Sequence, residues 1–113
     1  MTELEIGQTM SHIVVLVTAT SMGEAEAIGR ALVEGRMAAC VNISAGVRSL
    51  FRWQEKIEEQ EEVLLVVKSR SDLLPSIIEA VKRLHSYTVP EVIASPILDG
   101  SPDYLAWIDE TVR

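Results

Sequence analysis

The chain has 113 residues, a formal net charge of −7 and 48% hydrophobic residues, a composition typical of one globular domain with a single core. Its acidic balance argues against nucleic acid as a partner, because clustered lysines and arginines carry the affinity for phosphates. The apolar runs at residues 13–17 and 63–67 are far shorter than the roughly 20 residues that cross a bilayer, so we expect no membrane partner. A single cysteine and no pattern of a secretory signal predict a cytoplasmic protein.

The first part of the chain predicts a tail, a strand and a helix. Residues 1–10 are polar and lack a sustained pattern, so we expect a flexible N-terminal tail ahead of a single domain over residues 11–113. The β-branched run at residues 12–20 predicts a strand. Ser21, with a glutamate three residues later, forms a capping-box pattern that begins an amphipathic helix, and Gly35 is placed to end it.

The middle of the chain predicts a β-hairpin. Residues 37–57 read as one long strand with a bulge near Gly46, because so long a strand seldom runs without an irregularity. The polar residues 58–60 are the predicted link, and residues 61–68 are the returning strand.

The last part of the chain predicts a helix, a strand and a second helix. The amphipathic helix begins close to Asp72, because Pro75 fits only within a first turn. A strand follows over residues 91–97. Ser101 and Pro102 then place a cap and a first helical residue ahead of a short final helix, whose apolar face is formed by Tyr104, Leu105, Trp107 and Ile108.

This order of elements is typical of an α+β, ferredoxin-like (βαββαβ) two-layer sandwich with an extra C-terminal helix. In such a sandwich the helices cover one face of the sheet, so a strand whose other face meets water should alternate. Residues 13–17 and 63–67 are instead apolar at every position. Their second face must also be buried, and no spare segment is large enough to cover it, so we expect an obligate oligomer.

Four segments stand in a specific order and spacing: MAACVNI at 37–43, WQEKI at 53–57, KSR at 68–70 and HSYTVPE at 85–91. Together they resemble the CutA divalent-ion tolerance family, and the resemblance runs from about residue 13 to residue 107. It implies a ferredoxin-like homotrimer in which strands of neighbouring subunits extend one another's sheets. Three positions depart from the Tyr, Gly and Pro usual in that family: Phe51, Glu55 and Ser86.

His85 and Cys40 are the candidate metal ligands. Imidazole and thiolate groups suit copper and zinc, and the resemblance implies that metal binding uses Cys and His side chains, with the segment from His85 to Glu91 lining a cleft between subunits. Each residue also has an interpretation without a metal. Cys40 lies in a predicted buried strand, where a thiol packs and reacts poorly. His85 lies at a predicted helix end, where a protonated imidazole interacts favourably with the helix dipole.

Trp53, Lys68, Tyr87 and Glu91 are the candidates for a pocket between subunits, by analogy with the cleft that the resemblance implies. Trp and Tyr side chains also anchor oligomer interfaces, and Lys68 could form an ion pair instead. Glutamates crowd residues 55–62, where they could hold a hard cation such as calcium or magnesium or simply form a solvated hairpin tip.

The sequence contains no nucleophile elbow, phosphate-binding loop or paired-cysteine motif and only two histidines, so we expect a protein that is not an enzyme. The expected function is a homotrimer that binds divalent metal ions of the copper or zinc type, requires no other cofactor and contributes to metal-ion tolerance. Two alternatives stay open. The trimer could be a signalling module that binds a small anion in its clefts through Lys56, Lys68 or Arg70, or a structural platform for a protein partner.

Overall fold

The fold is a four-stranded antiparallel sheet with three α-helices, seen in a computed structural model that describes residues 10–113. This confirms the mixed α+β class and the predicted order of elements. The tail predicted over residues 1–10 falls outside the described residues except for Met10, and a single domain over residues 11–113 stays a prediction. The elements are β1 (His12–Ala19), α1 (Met22–Glu34), β2 (Cys40–Trp53), β3 (Lys56–Arg70), α2 (Leu74–Leu84), β4 (Val92–Pro96) and α3 (Pro102–Thr111).

The core lies between the sheet and helices α1 and α2. The strands follow the order β2-β3-β1-β4, and β1 is paired on both sides, with Val15 opposite Val67 in β3 and opposite Ala94 in β4. Because successive side chains point to opposite faces, residues of β1 are alternately half-buried and buried along the strand. The buried face meets the apolar stripes of the two helices, which include Ile28, Leu32, Ile77 and Val81.

The helix ends follow the predicted caps. The Ser21 hydroxyl accepts a hydrogen bond from the Glu24 N–H at 3.1 Å, and a Glu24 carboxylate oxygen accepts one from the Thr20 N–H at 3.1 Å, which is one residue earlier than in the standard capping box. Gly35 ends α1. Pro75 lies in the first turn of α2, after a short 3₁₀ turn at Ser71–Leu73, so the predicted start of that helix is confirmed to within two residues.

The predicted link at residues 58–60 is wrong, because these residues belong to β3. The register pairs Trp53 with Lys56, so the hairpin turns at Gln54 and Glu55, whose φ angles are 51° and 67°. Glycine and asparagine favour this left-handed region, and neither occurs here, so the sequence carries no turn signal at the true position. The predicted bulge near Gly46 is confirmed by a register shift between Ser44 and Val47.

The second face of the sheet is only partly covered by the chain itself. Helix α3 covers one end, where an Asp109 carboxylate oxygen lies 3.0 Å from His12 Nε2 and 3.6 Å from an Arg70 guanidinium nitrogen. Farther along this face, Leu16, Leu64 and Val66 are half-buried and Ile93 is 56% exposed. We call these four residues the open apolar patch. Over residues 10–113, no helix is long and apolar enough to cross a membrane.

The hairpin turn generates a stability prediction. Glu55 carries a Cβ in a left-handed conformation, which costs an L-residue roughly 1–2 kcal/mol. We expect Glu55→Gly to raise the free energy of unfolding by about 1 kcal/mol relative to Glu55→Ala, measured by urea denaturation. The alanine variant is the matched control, because it also removes the charge but keeps the Cβ. Equal stability of the two variants would contradict this account of the turn.

Candidate functional site

A cleft of about 810 Å³ lies between the arm formed by β2 and β3 and the loop that follows α2. We call residues 86–91 the cleft loop. The arm contributes aromatic, acidic and basic side chains, and the cleft loop contributes a tyrosine and a further carboxylate. The charged and aromatic lining includes Arg48, Trp53, Glu58, Glu62, Tyr87 and Glu91.

His85 joins the cleft loop to the core. Its backbone N–H donates to the Val81 carbonyl at 2.8 Å and ends α2, and its side chain is fully buried. Imidazole Nε2 lies 2.7 Å from the Thr18 carbonyl oxygen, and Nδ1 accepts a hydrogen bond from the Tyr87 N–H at 2.9 Å. The imidazole therefore ties the cleft loop to the end of β1.

Glu24 makes a second connection between the same parts of the chain. One carboxylate oxygen accepts from the Thr20 N–H and lies 3.4 Å from His85 Nε2, and the other accepts from the Ser86 N–H at 3.1 Å. Partial burial raises the pKa of Glu24, and the hydrogen bonds that its carboxylate accepts from Ser86 and Thr20 lower it. The net pKa lies below the ordinary value, so the folded state favours the ionised carboxylate.

Tyr87 and Glu62 meet inside the cleft. Glu62 is a buried carboxylate on β3, with only 6% of its surface exposed. Burial raises the pKa of the Tyr87 hydroxyl, and the neighbouring carboxylates of Glu62 and Glu24 raise it further. The tyrosine ring also packs against the His85 imidazole, with 5.1 Å between ring centroids. The cleft thus contains a neutral phenol beside a largely dehydrated carboxyl group.

The structure brings three of the four predicted pocket residues together. Trp53, Tyr87 and Glu91 line the cleft, but Lys68 is not among the lining residues. Lys68 is paired with Val14 on one side and with Cys40 on the other, and its ammonium donates to the Asn42 side-chain oxygen. The pairing of the strands therefore places Lys68 near the end of the sheet that lies away from the cleft.

The two candidate metal ligands do not meet within one chain. Cys40 lies across from Lys68, which is opposite Val14, whereas His85 contacts Thr18, roughly 13 Å farther along β1. The Cys40 thiol lies beside Tyr104, whose pKa is raised by burial and then by the thiol. Among the described residues, no group of three or more His, Cys, Asp or Glu side chains is arranged to hold a metal ion.

Two charged residues of this region were not predicted from the sequence. Arg48 lines the cleft and pairs with Glu59 on the opposite strand; correct placement of the hairpin turn would have put the two on adjacent strands. Glu24 was recognised only through its capping pattern. Its second role depends on the end of α2 approaching the end of β1, which no local sequence signal predicts.

The chain matches the model of the CutA1 divalent ion tolerance protein family over residues 13–111. It belongs to this family. A divalent-cation tolerance protein CutA from Thermus thermophilus is 50% identical over 97 residues, which is 86% of this chain and 94% of that protein. The mouse protein CutA is 45% identical over 86% of this chain, but the match spans 55% of the mouse protein.

Solved CutA structures share the fold. The Thermus thermophilus structure superposes with a TM-score of 0.89 at 47% identity, covering 90% of this chain and 99% of that one. The Archaeoglobus fulgidus structure, named as a periplasmic divalent cation tolerance protein, superposes with a TM-score of 0.88 at 44% identity, covering the same shares. In this CutA chain, Ser86 supplies the N–H that Glu24 accepts, a donor that proline at this position would lack.

The lowered pKa of Glu24 generates a prediction for this CutA chain. We expect Glu24→Gln to lower the free energy of unfolding by about 1–2 kcal/mol at pH 7, because an amide cannot accept at both of its polar atoms. The stabilisation is fully present above the unfolded pKa of roughly 4.3 and is lost as the pH falls through the lower folded pKa. The difference in the free energy of unfolding between Glu24→Gln and the wild type should therefore become smaller at acidic pH.

Chemical denaturation at pH 7 and at a series of acidic pH values measures this effect. Glu26→Gln is the matched control, since Glu26 is exposed on the same helix and its neutralisation should change stability by less than about 0.5 kcal/mol. A Glu24→Gln deficit that stays constant down to strongly acidic pH would contradict the assignment.

Proposed function

We propose that this protein is a homotrimer that binds divalent cations in the cleft and contributes to metal-ion tolerance. The role is one of binding rather than catalysis, and it needs no other cofactor. The family membership supports the tolerance role, because the relatives are named for it. The carboxylates of the cleft support cation binding, and they are the observation on which the proposal depends.

The charge of the cleft favours a cation. Glu58, Glu62 and Glu91 line it, and within the described residues Arg48 is the one basic side chain of the lining. Arg48 is paired with Glu59, so its charge is already compensated. Carboxylate oxygens are the ligands that hard divalent cations such as magnesium and calcium prefer, and Glu62 is the carboxylate of the lining that is buried from water.

A trimer would complete what one chain leaves open. The open apolar patch lies on the face of the sheet opposite α1 and α2, and a contiguous apolar surface of this kind is typical of subunit contacts. Cations are held by several ligands, and residues 10–113 of one chain bring no three His, Cys, Asp or Glu side chains together for an ion. We propose that the ferredoxin-like chains pack through this face and that neighbouring subunits supply the remaining ligands.

Copper or zinc binding through His85 and Cys40 stays a prediction. For His85 to bind an ion, its ring must give up the hydrogen bond from the Tyr87 N–H or its proton toward the Thr18 carbonyl. For Cys40 to join the same ion, it must come from a neighbouring subunit, because the two residues of one chain lie far apart along the sheet. A cytoplasmic location likewise stays a prediction.

The anion-binding alternative has less support from the charges. Arg70 is paired with Asp72 and Asp109, and these pairings raise its pKa although burial lowers it. Lys68 donates to Asn42 and lies outside the cleft lining. The platform alternative predicts recovery of a stoichiometric protein partner in a pull-down and no change of that recovery in Glu62→Gln.

Cation binding can be measured by isothermal calorimetry with copper, zinc and magnesium salts on the full chain. We expect Glu62→Gln to weaken binding by on the order of tenfold or more, because it removes the most buried carboxylate of the cleft. Glu79→Gln is the matched control, since Glu79 is exposed on α2. Absence of binding by the wild type, or equal affinities of wild type and Glu62→Gln, would refute the cleft as the cation site.

The assembly can be tested at the open apolar patch. Ile93 is exposed within one chain, so Ile93→Asp should leave the chain folded but bury a charge at a subunit contact. We expect light scattering to give the mass of three chains for the wild type and a lower mass for the variant. Val33→Asp, on the helical side of the sheet, is the control. A trimer that tolerates Ile93→Asp would exclude this face as the contact.

A further inference from the structure

We propose that His85 is a positioning residue of the cleft, whose neutral imidazole holds the cleft loop in place by two hydrogen bonds and does not itself bind the cation. The inference rests on the proposed function in one respect, namely that the cleft is where the cation binds. The hydrogen bonds themselves do not depend on it.

The hydrogen-bond partners of the His85 imidazole, one donor and one acceptor, determine which ring nitrogen carries the proton. The Tyr87 N–H can only donate, so Nδ1 must accept with its lone pair, at 2.9 Å. The Thr18 carbonyl can only accept, so Nε2 must carry the proton and donate it at 2.7 Å. A neutral imidazole has one such lone pair, which is also the one that would bind a metal. In this arrangement none remains for a cation.

Burial and a second anchor strengthen the arrangement. The His85 side chain has no exposed surface, so water cannot replace either hydrogen bond without opening the structure. Glu24 holds the next residue by accepting from the Ser86 N–H at 3.1 Å and reaches the β1 end through the Thr20 N–H. The first two residues of the cleft loop are therefore each fixed through their backbone N–H.

The position of this loop determines the shape of the cleft. Ser86, Tyr87 and Glu91 all line the cleft from the loop side, and Glu62 lies on the arm. Tyr87 packs against the His85 ring and lies close enough to Glu62 for that carboxylate to raise its pKa. If the cleft loop were released from His85, Tyr87 would move away from Glu62, and the distance between the carboxylates of Glu62 and Glu91 would change. Loss of His85 should thus weaken cation binding without removing a ligand.

Three substitutions separate the two hydrogen bonds. In His85→Asn, the side-chain oxygen replaces Nδ1 as the acceptor for the Tyr87 N–H, whereas His85→Gln can keep only the donor toward Thr18 and His85→Ala keeps neither. Amide hydrogen exchange at Tyr87 reports the loop, and calorimetry with zinc reports the site. We expect the exchange protection of the Tyr87 amide and the zinc affinity of His85→Asn each to stay within about threefold of the wild-type values. In His85→Ala, we expect each of these two quantities to fall on the order of tenfold.

The control for loss of an imidazole is His12→Ala, because His12 lies beside Asp109 of α3 and away from the cleft. We expect this substitution to change neither the exchange of the Tyr87 amide nor the zinc affinity. Should His85→Ala fail to fold, the wild type alone still decides the point. Its imidazole ¹⁵N spectrum should show a protonated Nε2 and an unprotonated Nδ1 that do not shift on addition of zinc. A proton on Nδ1 would overturn the proposal.

A ligand role gives the opposite results. If His85→Asn loses zinc affinity while the Tyr87 amide stays protected, or if pulsed EPR of the copper-loaded protein shows an imidazole signal that His85→Asn abolishes, His85 binds the ion and the positioning role is refuted. A wild type that binds no cation would refute the proposed function alone. Exchange at Tyr87 in the same variants would then decide the loop anchor by itself, and equal exchange in wild type and His85→Ala would overturn it.

Discussion

The pairing of β1 with β3 is the constraint on which the other features of this molecule depend. Val15 lies opposite Val67, and the two-residue alternation of strands then sends one set of side chains to the helices and the other to the second face. The same register determines which residues share an end of the sheet. Thr18 and Thr20 lie at the end where the cleft forms, and Cys40 and Lys68 lie near the other.

The cleft derives its chemistry from how the ends of three elements meet. The end of β1 presents a carbonyl and an N–H that β-sheet pairing leaves to other partners, and the buried His85 imidazole and the Glu24 carboxylate satisfy them. Unsatisfied polar groups would be costly at this depth, so the network serves the stability of the fold. The same network positions the cleft loop. Structural and functional demands therefore fall on the same side chains.

Acidic charge on the arm has a similar double effect. The arm is paired without interruption from Val47 to the hairpin turn, where Gln54 and Glu55 adopt left-handed conformations. Glu58 and Glu62 face the cleft, whereas Glu59 pairs with Arg48. Alternation along one strand thus divides a run of glutamates into some that line the cleft and one that compensates a nearby guanidinium.

Much of the fold follows from local pattern alone. The β-branched runs, the capping serine, the proline near the start of α2 and the bulge at Gly46 each act within a few residues, so the sequence by itself determined the order and type of the elements. It also indicated an apolar second face. The position of the hairpin turn was not predicted. Gln54 and Glu55 adopt a left-handed conformation that these residue types disfavour, because the pairing of the two long strands imposes it.

The candidate site also has one part that the sequence predicts and another that depends on the tertiary structure. Sequence determined that His85, Tyr87 and Glu91 belong to one short segment, but only the tertiary structure decided that Lys68 lies away from them and that Glu24 joins them. Those outcomes depend on strand register and on how closely the end of α2 approaches the end of β1. Both are set by the packing of the whole core and by contacts more than 60 residues apart in sequence, for which a short sequence pattern carries no signal.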